Sequence, residues 1–282
     1  MPGTIDLHTH TTASDGSLTP RALIRLAAER GLKLIAVTDH DTTLGTADAQ
    51  DEGRTVGVDV ITGVELNCDL PDGHADILGY CFDIAAPALQ TLLLEIRDAR
   101  DGRARRMVDQ LRAIGADIEY DDVLAIAGDG SVGRPHVAQA LVAKGFVPDV
   151  STAFERFIGR HGPAYADRYR LTPEAACRAI RAAGGVPSLA HPVPPSDPRS
   201  DPKSLRTFLP PLVEAGLGGL ECYYSGYTTG TSSWLLALAR HFGLIPTGGS
   251  DYHGPWRADR ELGGVDVPDA TVDALRRAAA AG

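Results

Sequence analysis

Short apolar runs alternate along this chain with stretches in which apolar residues recur every three or four positions, the pattern of a β/α architecture. Seven runs read as strands: TIDLH (4–8), LKLIAVT (32–38), VDVITGVEL (58–66), ADILGY (75–80), GVPSLAH (185–191), GGLECYY (218–224) and LIPTGGS (244–250). Amphipathic helices with legible ends lie between several of them. TPRALIRLAAERG offers Thr19 as an N-cap, Pro20 in the first turn and Gly31 just past the end, and TPEAACRAIRAAGG repeats that grammar from Thr172. From Tyr80 to Gly185 the alternation lapses. Residues 85–168, with the arginine-rich stretch 95–115, read as a helical subdomain inserted into a barrel formed by 1–84 and 169–282.

Polar residues gather at one end of these strands. In DLHTH, Asp6, His8 and His10 share parity, so an extended strand turns them to one face. The second strand ends in Asp39, His40 and Asp41, the third near Glu65, the fifth in His191, and the seventh runs into Asp251 and His253; the fourth carries His74 and Asp76. In a parallel barrel the C-terminal strand ends converge on a single mouth, where catalytic groups collect.

The residue types at that mouth point to metal ions. Imidazoles and carboxylates suit zinc, manganese or ferrous ions, and a carboxylate such as Glu65 can bridge two ions where a neutral imidazole cannot. A serine-type site needs one histidine beside a poised hydroxyl and leaves the other ligands without a task. The four cysteines, Cys68, Cys81, Cys177 and Cys222, form no C-x-x-C pair and read as buried or half-buried thiols.

Composition limits the partners. A chain of 282 residues with 43% hydrophobic content can bury a substantial core. Its net charge of −10 disfavours long nucleic acid and anionic membranes, though not a local basic pocket for a small phosphate. No apolar run reaches the roughly 18 residues of a membrane span, and the N-terminus lacks a basic-then-apolar pattern, so a cytoplasmic location is expected.

DLHTH followed by SDG, then TDHD, GVE, AHP and GSDYH, in that order and spread over nearly the whole chain, resembles the polymerase and histidinol phosphatase (PHP) family of metal-dependent phosphoesterases. The resemblance implies a distorted seven-stranded β/α barrel and two or three divalent ions, manganese first, with zinc, iron or magnesium as alternatives. Carried over by position, it implies that His8, His10, Glu65 and Asp251 hold one ion, Glu65 and His191 a second, and Asp15, His40 and His253 a third. Where the family has a histidine on strand four, this chain has Asp76. Either Asp76 ligates through oxygen and hardens the site toward manganese or magnesium, or His74 substitutes after a small slip, or the second ion is weak or absent.

The helical insertion and the segment GRPHVAQALVAKG (133–145) resemble the subgroup that acts on nucleotides: nucleoside 3′,5′-bisphosphate phosphatases, enzymes trimming short RNA from the 5′ end, and cyclic-phosphate hydrolases. Arg134 and His136 are then candidate phosphate-binding groups, with Arg160 and Arg168 weaker ones. His161, His241 and the arginines of 97–112 read as structural or solvated. The implied reaction is hydrolysis of a small nucleotide's phosphate monoester by a metal-bound hydroxide, with Asp39 orienting a ligand histidine. Hydrolysis of a cyclic, sugar or histidinol phosphate, 5′-3′ exonuclease action on short oligonucleotides, and a non-catalytic metal-binding barrel are the competing readings; the general acid and the oligomeric state are open.

Overall fold

The structure is a computed structural model that describes residues 3–70, 73–128, 130–167, 171–193, 202–255, 257 and 259–282. Seven strands form one sheet in sequential order: β1 (Ile5–Asp6), β2 (Leu34–Val37), β3 (Asp59–Leu70), β4 (Gly73–Tyr80), β5 (Val186–Leu189), β6 (Gly219–Tyr224) and β7 (Ile245–Gly249). The sheet curls until its edges meet: the Leu7 N–H donates to the Gly248 carbonyl at 3.3 Å, the Asp251 N–H donates to the His8 carbonyl at 2.8 Å, and Thr9 bridges to Tyr252. Gly249 makes that closure sterically feasible, because a Cβ there would lie 2.4 Å from the His8 nitrogen.

Helices cover the barrel. α1 (Pro20–Glu29) buries Leu23, Ile24 and Ala27, and its N-cap Thr19 accepts a hydrogen bond from the Ala22 N–H at 3.3 Å. α2 (Thr46–Val56) packs beside it. α7 (Pro173–Ala182), capped in the same way by Thr172, buries Cys177 and Ile180. The remaining outer helices are α8 (Pro202–Glu214), α9 (Thr229–Phe242) and α10 (Asp269–Ala280). Each large aliphatic side chain these helices bury contributes about 1.5–3 kcal/mol of hydrophobic stabilisation.

One strand departs from the all-parallel expectation. β4 runs antiparallel to both β3 and β5, whereas β1 to β3 and β5 to β7 are parallel. Only residues 71–72 separate β3 from β4, and a parallel crossover needs a dozen residues or more, so a hairpin is the available connection. As a result Gly73–Asp76, the start of β4, lies at the mouth. β3 also continues past Glu65 to Leu70, so that the hairpin stands above the barrel rim.

Between β4 and α7 lie α3 (Pro87–Ala113), α4 (Tyr120–Ala127), α5 (Arg134–Ala143), α6 (Val150–Ala153) and a π-helical turn (Phe154–Ile158). α3 is shared between two hydrophobic cores. Its first half sends Leu89, Leu93 and Ile96 into the core formed with β3, β4 and α7, while Ala104, Met107 and Leu111 belong to a second core closed by Val123, Val137, Leu141 and Ile158. This helical unit meets the barrel mouth where Arg100 pairs with Asp41 and where the Ser131 N–H donates to the Ala13 carbonyl at 2.9 Å. Among the described residues, no helix is long and apolar enough to cross a membrane.

Candidate metal centre

Strand ends and the β3–β4 hairpin bring nine histidines and carboxylates together in three groups, within each of which the candidate ligand atoms lie within 4.8 Å of one another. The first group is His8, His10, Glu65 and Asp251. Nε2 of His8 and of His10 are each 3.2 Å from Glu65 Oε2, and they stand 3.5 and 3.3 Å from Asp251 Oδ1. The second is Glu65, Asp76 and His191, with His191 Nε2 3.0 Å from Glu65 Oε1 and 3.7 Å from Asp76 Oδ2. The third is Asp15, His40 and His253 with His10 beside them; His253 Nε2 is 3.3 Å from Asp15 Oδ1, and His40 Nε2 is 3.9 Å from Asp15 Oδ2. Glu65 therefore turns one oxygen to each of the first two groups. On β4 it is Asp76 that stands with Glu65 and His191; His74 is exposed two residues nearer the rim.

Buried polar atoms here demand a partner. His8 Nε2, both His10 ring nitrogens, Glu65 Oε2 and Asp76 Oδ1 are inaccessible to solvent and make no hydrogen bond. Leaving one such atom unmade costs about 1–3 kcal/mol, and more when it is charged. Ligands held at about 2.1 Å from a tetrahedral ion stand roughly 3.4 Å apart, close to the spacing within the first group. The donor set is nitrogen and carboxylate oxygen throughout. These residues fit divalent ions.

The electrostatics agree. Burial alone would depress the histidines, yet the surrounding carboxylates overcome it. Glu65, Glu221 and Asp251 lift His8 well above its ordinary value, and the carboxylates of Asp251 and Glu65, 3.3 and 3.2 Å from its Nε2, carry His10 to about 10. His191, likewise desolvated, is raised to about 9, chiefly by Glu65. Burial would raise the carboxyls of Glu65, Asp15 and Asp251, but the adjoining imidazoles hold all three well below the carboxylate range. The cluster is a buried concentration of negative charge that binds positive charge, whether protons or metal.

The surrounding chain fixes these groups in place. Tyr224 donates its hydroxyl to Asp251 Oδ2 at 2.8 Å, and the Asn67 amide lies 2.8 Å from His40 Nδ1. His253 Nδ1 donates to the Asp251 carbonyl at 2.9 Å, which leaves its Nε2 turned toward Asp15. Asp41, His191 and Asp251 all occupy positive φ (54°, 23° and 56°), where residues other than glycine are uncommon.

Two carboxylates near the site anchor backbone, and for Asp39 this differs from the sequence reading. Asp39 touches no histidine among its hydrogen bonds: it accepts from the Thr11 N–H, the Thr11 hydroxyl and the Ser14 hydroxyl, each at 2.7 Å, and so holds the loop that presents Asp15. Asp6, although it shares parity with His8, accepts from the Ser250 and Gly263 N–H groups at 2.9 Å each and fastens the barrel seam. Glu221, Tyr224 and Asn67 escape sequence reading altogether. Glu221 and Asn67 lie inside strands and Tyr224 closes β6, with no histidine beside any of them to mark the position.

Above the cluster opens a cavity of about 1870 Å³ whose walls include Arg100, Arg134, Arg160 and Arg257, with Asp15, His40, Glu65, Asp76, His191, Asp251 and His253 toward its floor. Arg134 opens α5 and packs its guanidinium 5.3 Å from the Phe154 ring centre. His136 does not line this cavity. As the third residue of α5 it accepts from the Gly133 N–H at 3.0 Å and so caps that helix, and its burial lowers its pKa. His161 is exposed on the cavity wall, and His241 is exposed on α9. Of the arginines in 97–112, Arg100 and Arg103 face the cavity, whereas Arg105 and Arg112 form exposed pairs with Asp101 and Glu119. Arg168 lies outside the described residues.

Comparison with known proteins bears on this geometry. The family model for the PHP domain matches residues 6–130. A 5′-3′ exoribonuclease of Haemophilus influenzae is 34% identical over 270 residues, which is 95% of this chain and 96% of that protein. A 3′,5′-nucleoside bisphosphate phosphatase of Chromobacterium violaceum is 33% identical, covering 94% of this chain and 92% of that one. A solved structure from Bifidobacterium adolescentis, described as a candidate metal-dependent phosphoesterase, superposes with a TM-score of 0.88 at 32% identity and covers 97% of this chain and 96% of that one. With a barrel of seven strands and histidine–carboxylate groups able to hold metal at its mouth, the chain belongs to the PHP family of metal-dependent phosphoesterases.

Proposed function

We propose that this protein hydrolyses the terminal phosphate monoester of a small nucleotide, a nucleoside monophosphate or 3′,5′-bisphosphate, using two or three manganese ions. The observation that carries this reading is the stacking of one cavity: candidate metal ligands toward its floor, arginines and the Phe154 ring on its walls. A phosphate fits the first, and a nucleoside with further anionic groups fits the second.

In this reading His8, His10, Glu65 and Asp251 hold one ion, Glu65, Asp76 and His191 a second, and Asp15, His40 and His253 a third. Nε2 of His10 faces Glu65 and Asp251, which commits it to the first ion. Bound dications supply positive charge for the phosphoryl oxygens and lower the pKa of a water. The protein's own side chains do the rest. Arg134 and Arg160 hold anionic oxygens of the substrate, Glu65 fixes the spacing of two ligand groups, and Asp39 keeps the Asp15 loop against the mouth. Asp76, an oxygen donor, favours manganese or magnesium over softer ions.

A cavity of about 1870 Å³ exceeds the roughly 300–1,000 Å³ typical of small-ligand sites, which favours as second reading a 5′-phosphorylated short oligonucleotide trimmed from its end. Phosphate and nucleotide release by the manganese-loaded protein should be measured on AMP, 3′,5′-bisphosphoadenosine, a 5′-phosphorylated dinucleotide, a ribose cyclic phosphate and histidinol phosphate. The proposal expects the bisphosphate to turn over fastest. Preference for the dinucleotide would move the assignment to the second reading, and no turnover of any ester with metal bound would refute both.

A further inference from the structure

Glu221, in the middle of β6, is fully buried, and it belongs to none of the three candidate ligand groups. Both of its oxygens are engaged. Oε1 lies 3.0 Å from His8 Nδ1, and Oε2 accepts the His191 backbone N–H at 2.6 Å. His8 belongs to the first group and His191 to the second, so a single side chain touches a member of each. We propose that Glu221 is a positioning residue that prepares both metal sites at once: it holds His8 with the proton on Nδ1 and Nε2 turned to the ion, and it holds the His191 backbone at its positive φ. The inference rests on the metal-centre reading and goes beyond it by assigning this role to a residue that touches no ion.

The chemistry requires a carboxylate. Both groups that face Glu221 are donors in the ligating arrangement: the Nδ1–H of His8, whose Nε2 must stay unprotonated to bind an ion, and the amide N–H of His191. A carboxylate accepts from both. Glutamine has the same shape but offers one acceptor and one donor. If its oxygen keeps the His191 N–H, its amide nitrogen meets His8 Nδ1 and pushes the proton to Nε2, the atom that faces Glu65 and Asp251. If the amide turns over, its N–H groups oppose the His191 N–H and drive that backbone out of position. Either orientation spoils one site.

The test compares Glu221→Gln with wild type by manganese titration against a competing chelator, alongside thermal melting of both chelator-treated proteins. Expected is a 10- to 100-fold loss of affinity at one site, the range for partners that orient metal-ligating histidines, with melting temperatures that agree within a few degrees. Wild-type affinity and stoichiometry in the variant would overturn the proposal while leaving the metal centre standing. A wild-type protein that takes up no manganese would overturn both. Should Glu221→Gln not fold, the 15N spectrum of the zinc-loaded wild type decides, zinc being diamagnetic and the His8 signals being assigned with a His8→Gln variant. A protonated Nδ1 with a ligated Nε2 supports the proposal, and a ligated Nδ1 refutes it.

Discussion

Arg100, halfway along α3, donates from Nε to Asp41 Oδ2 at 2.6 Å, and so ties the helical unit between β4 and α7 to the end of the loop that carries His40. Asp41 is 1% exposed, and its other oxygen accepts the Asn67 N–H at 3.0 Å on β3. Removing the guanidinium leaves a buried carboxylate without its cation, a loss of about 3–5 kcal/mol when one partner of such a pair is deleted. Because Arg100 keeps some solvent contact, the lower end applies. Arg100→Gln should melt roughly 6–12 °C below wild type, taking about 2–4 °C per kcal/mol for a chain of this size. It should also raise KM, since the wall bearing Arg134 is then less firmly seated. Unchanged melting and KM in this variant would show that the pair does not hold the helical unit in place.

The metal cluster makes a sharper demand. Glu65 supplies an oxygen to each of two groups, so Glu65→Gln should lose more than one ion per chain, measured by elemental analysis after manganese loading and gel filtration. A fall in kcat of at least about 10³-fold is expected, in line with the loss of one strong electrostatic contribution of roughly 4 kcal/mol. Circular dichroism should be unchanged, because β3 keeps its ladder partners on both sides. Full metal content in the variant would contradict the bridging role.

Proton release should accompany metal uptake. His10 at about 10 and His191 at about 9 are protonated at neutral pH, and an imidazole must give up a proton to bind an ion. Manganese affinity should therefore rise with pH until about 9–10, and calorimetry in buffers of different ionisation enthalpy should count protons released near pH 7.5. Stability of the chelator-treated protein runs the other way. Both folded values lie above the ordinary 6.5, so the folded chain binds the extra protons; their contribution is complete below about pH 6.5 and is lost as pH rises through 9–10. A pH-independent manganese affinity would count against ligation by these two histidines.

How far the sequence could be read depended on where each residue's meaning lies. His8, His10, His40, His191, Asp251 and His253 sit in short motifs at strand ends, each weak alone, and it is their repetition at one end of the barrel that let the sequence place them at the mouth where the structure groups them. Glu221 is not: it is one carboxylate inside GGLECYY, and only the packing of β6 beside β5 and β7 brings it to His8 and His191. The reversal of β4 was legible in principle. Pro71, Asp72 and Gly73 are turn-forming residue types between the two strands, but the alternating β3 pattern fades after Leu66 and hides how far the strand runs. His136 could be read from sequence as a substrate contact or as a helix cap, and it is the hydrogen bond from the Gly133 N–H that shows the cap.

Arg134 tests the cavity wall independently of its floor. If it holds an anionic oxygen of the substrate, Arg134→Ala should raise KM for 3′,5′-bisphosphoadenosine by about 10- to 100-fold, the equivalent of losing one charged hydrogen bond of roughly 1.5–3 kcal/mol. Metal content and kcat should change little, because Arg134 is in none of the ligand groups. An equal fall in kcat with KM unchanged would mean that the contact forms only in the transition state.

Under the proposed assignment, Asp76 sets the character of the second metal site. Its Oδ1 makes no hydrogen bond although it is buried, and its Oδ2 stands 3.7 Å from His191 Nε2, so an ion near Glu65 and His191 would gain a hard oxygen donor. Asp76→His exchanges that oxygen for a nitrogen in a sphere that already contains His191. Preference should move from manganese toward zinc, seen as a change in the metal ratio recovered after loading with an equimolar mixture, because imidazole suits zinc better than it suits manganese. Asp76→Ala, in contrast, should lose the second ion and retain the first, since His8, His10 and Asp251 do not touch this side chain. An unaltered metal ratio in Asp76→His together with full metal content in Asp76→Ala would remove Asp76 from the coordination sphere and reduce that site to Glu65 and His191.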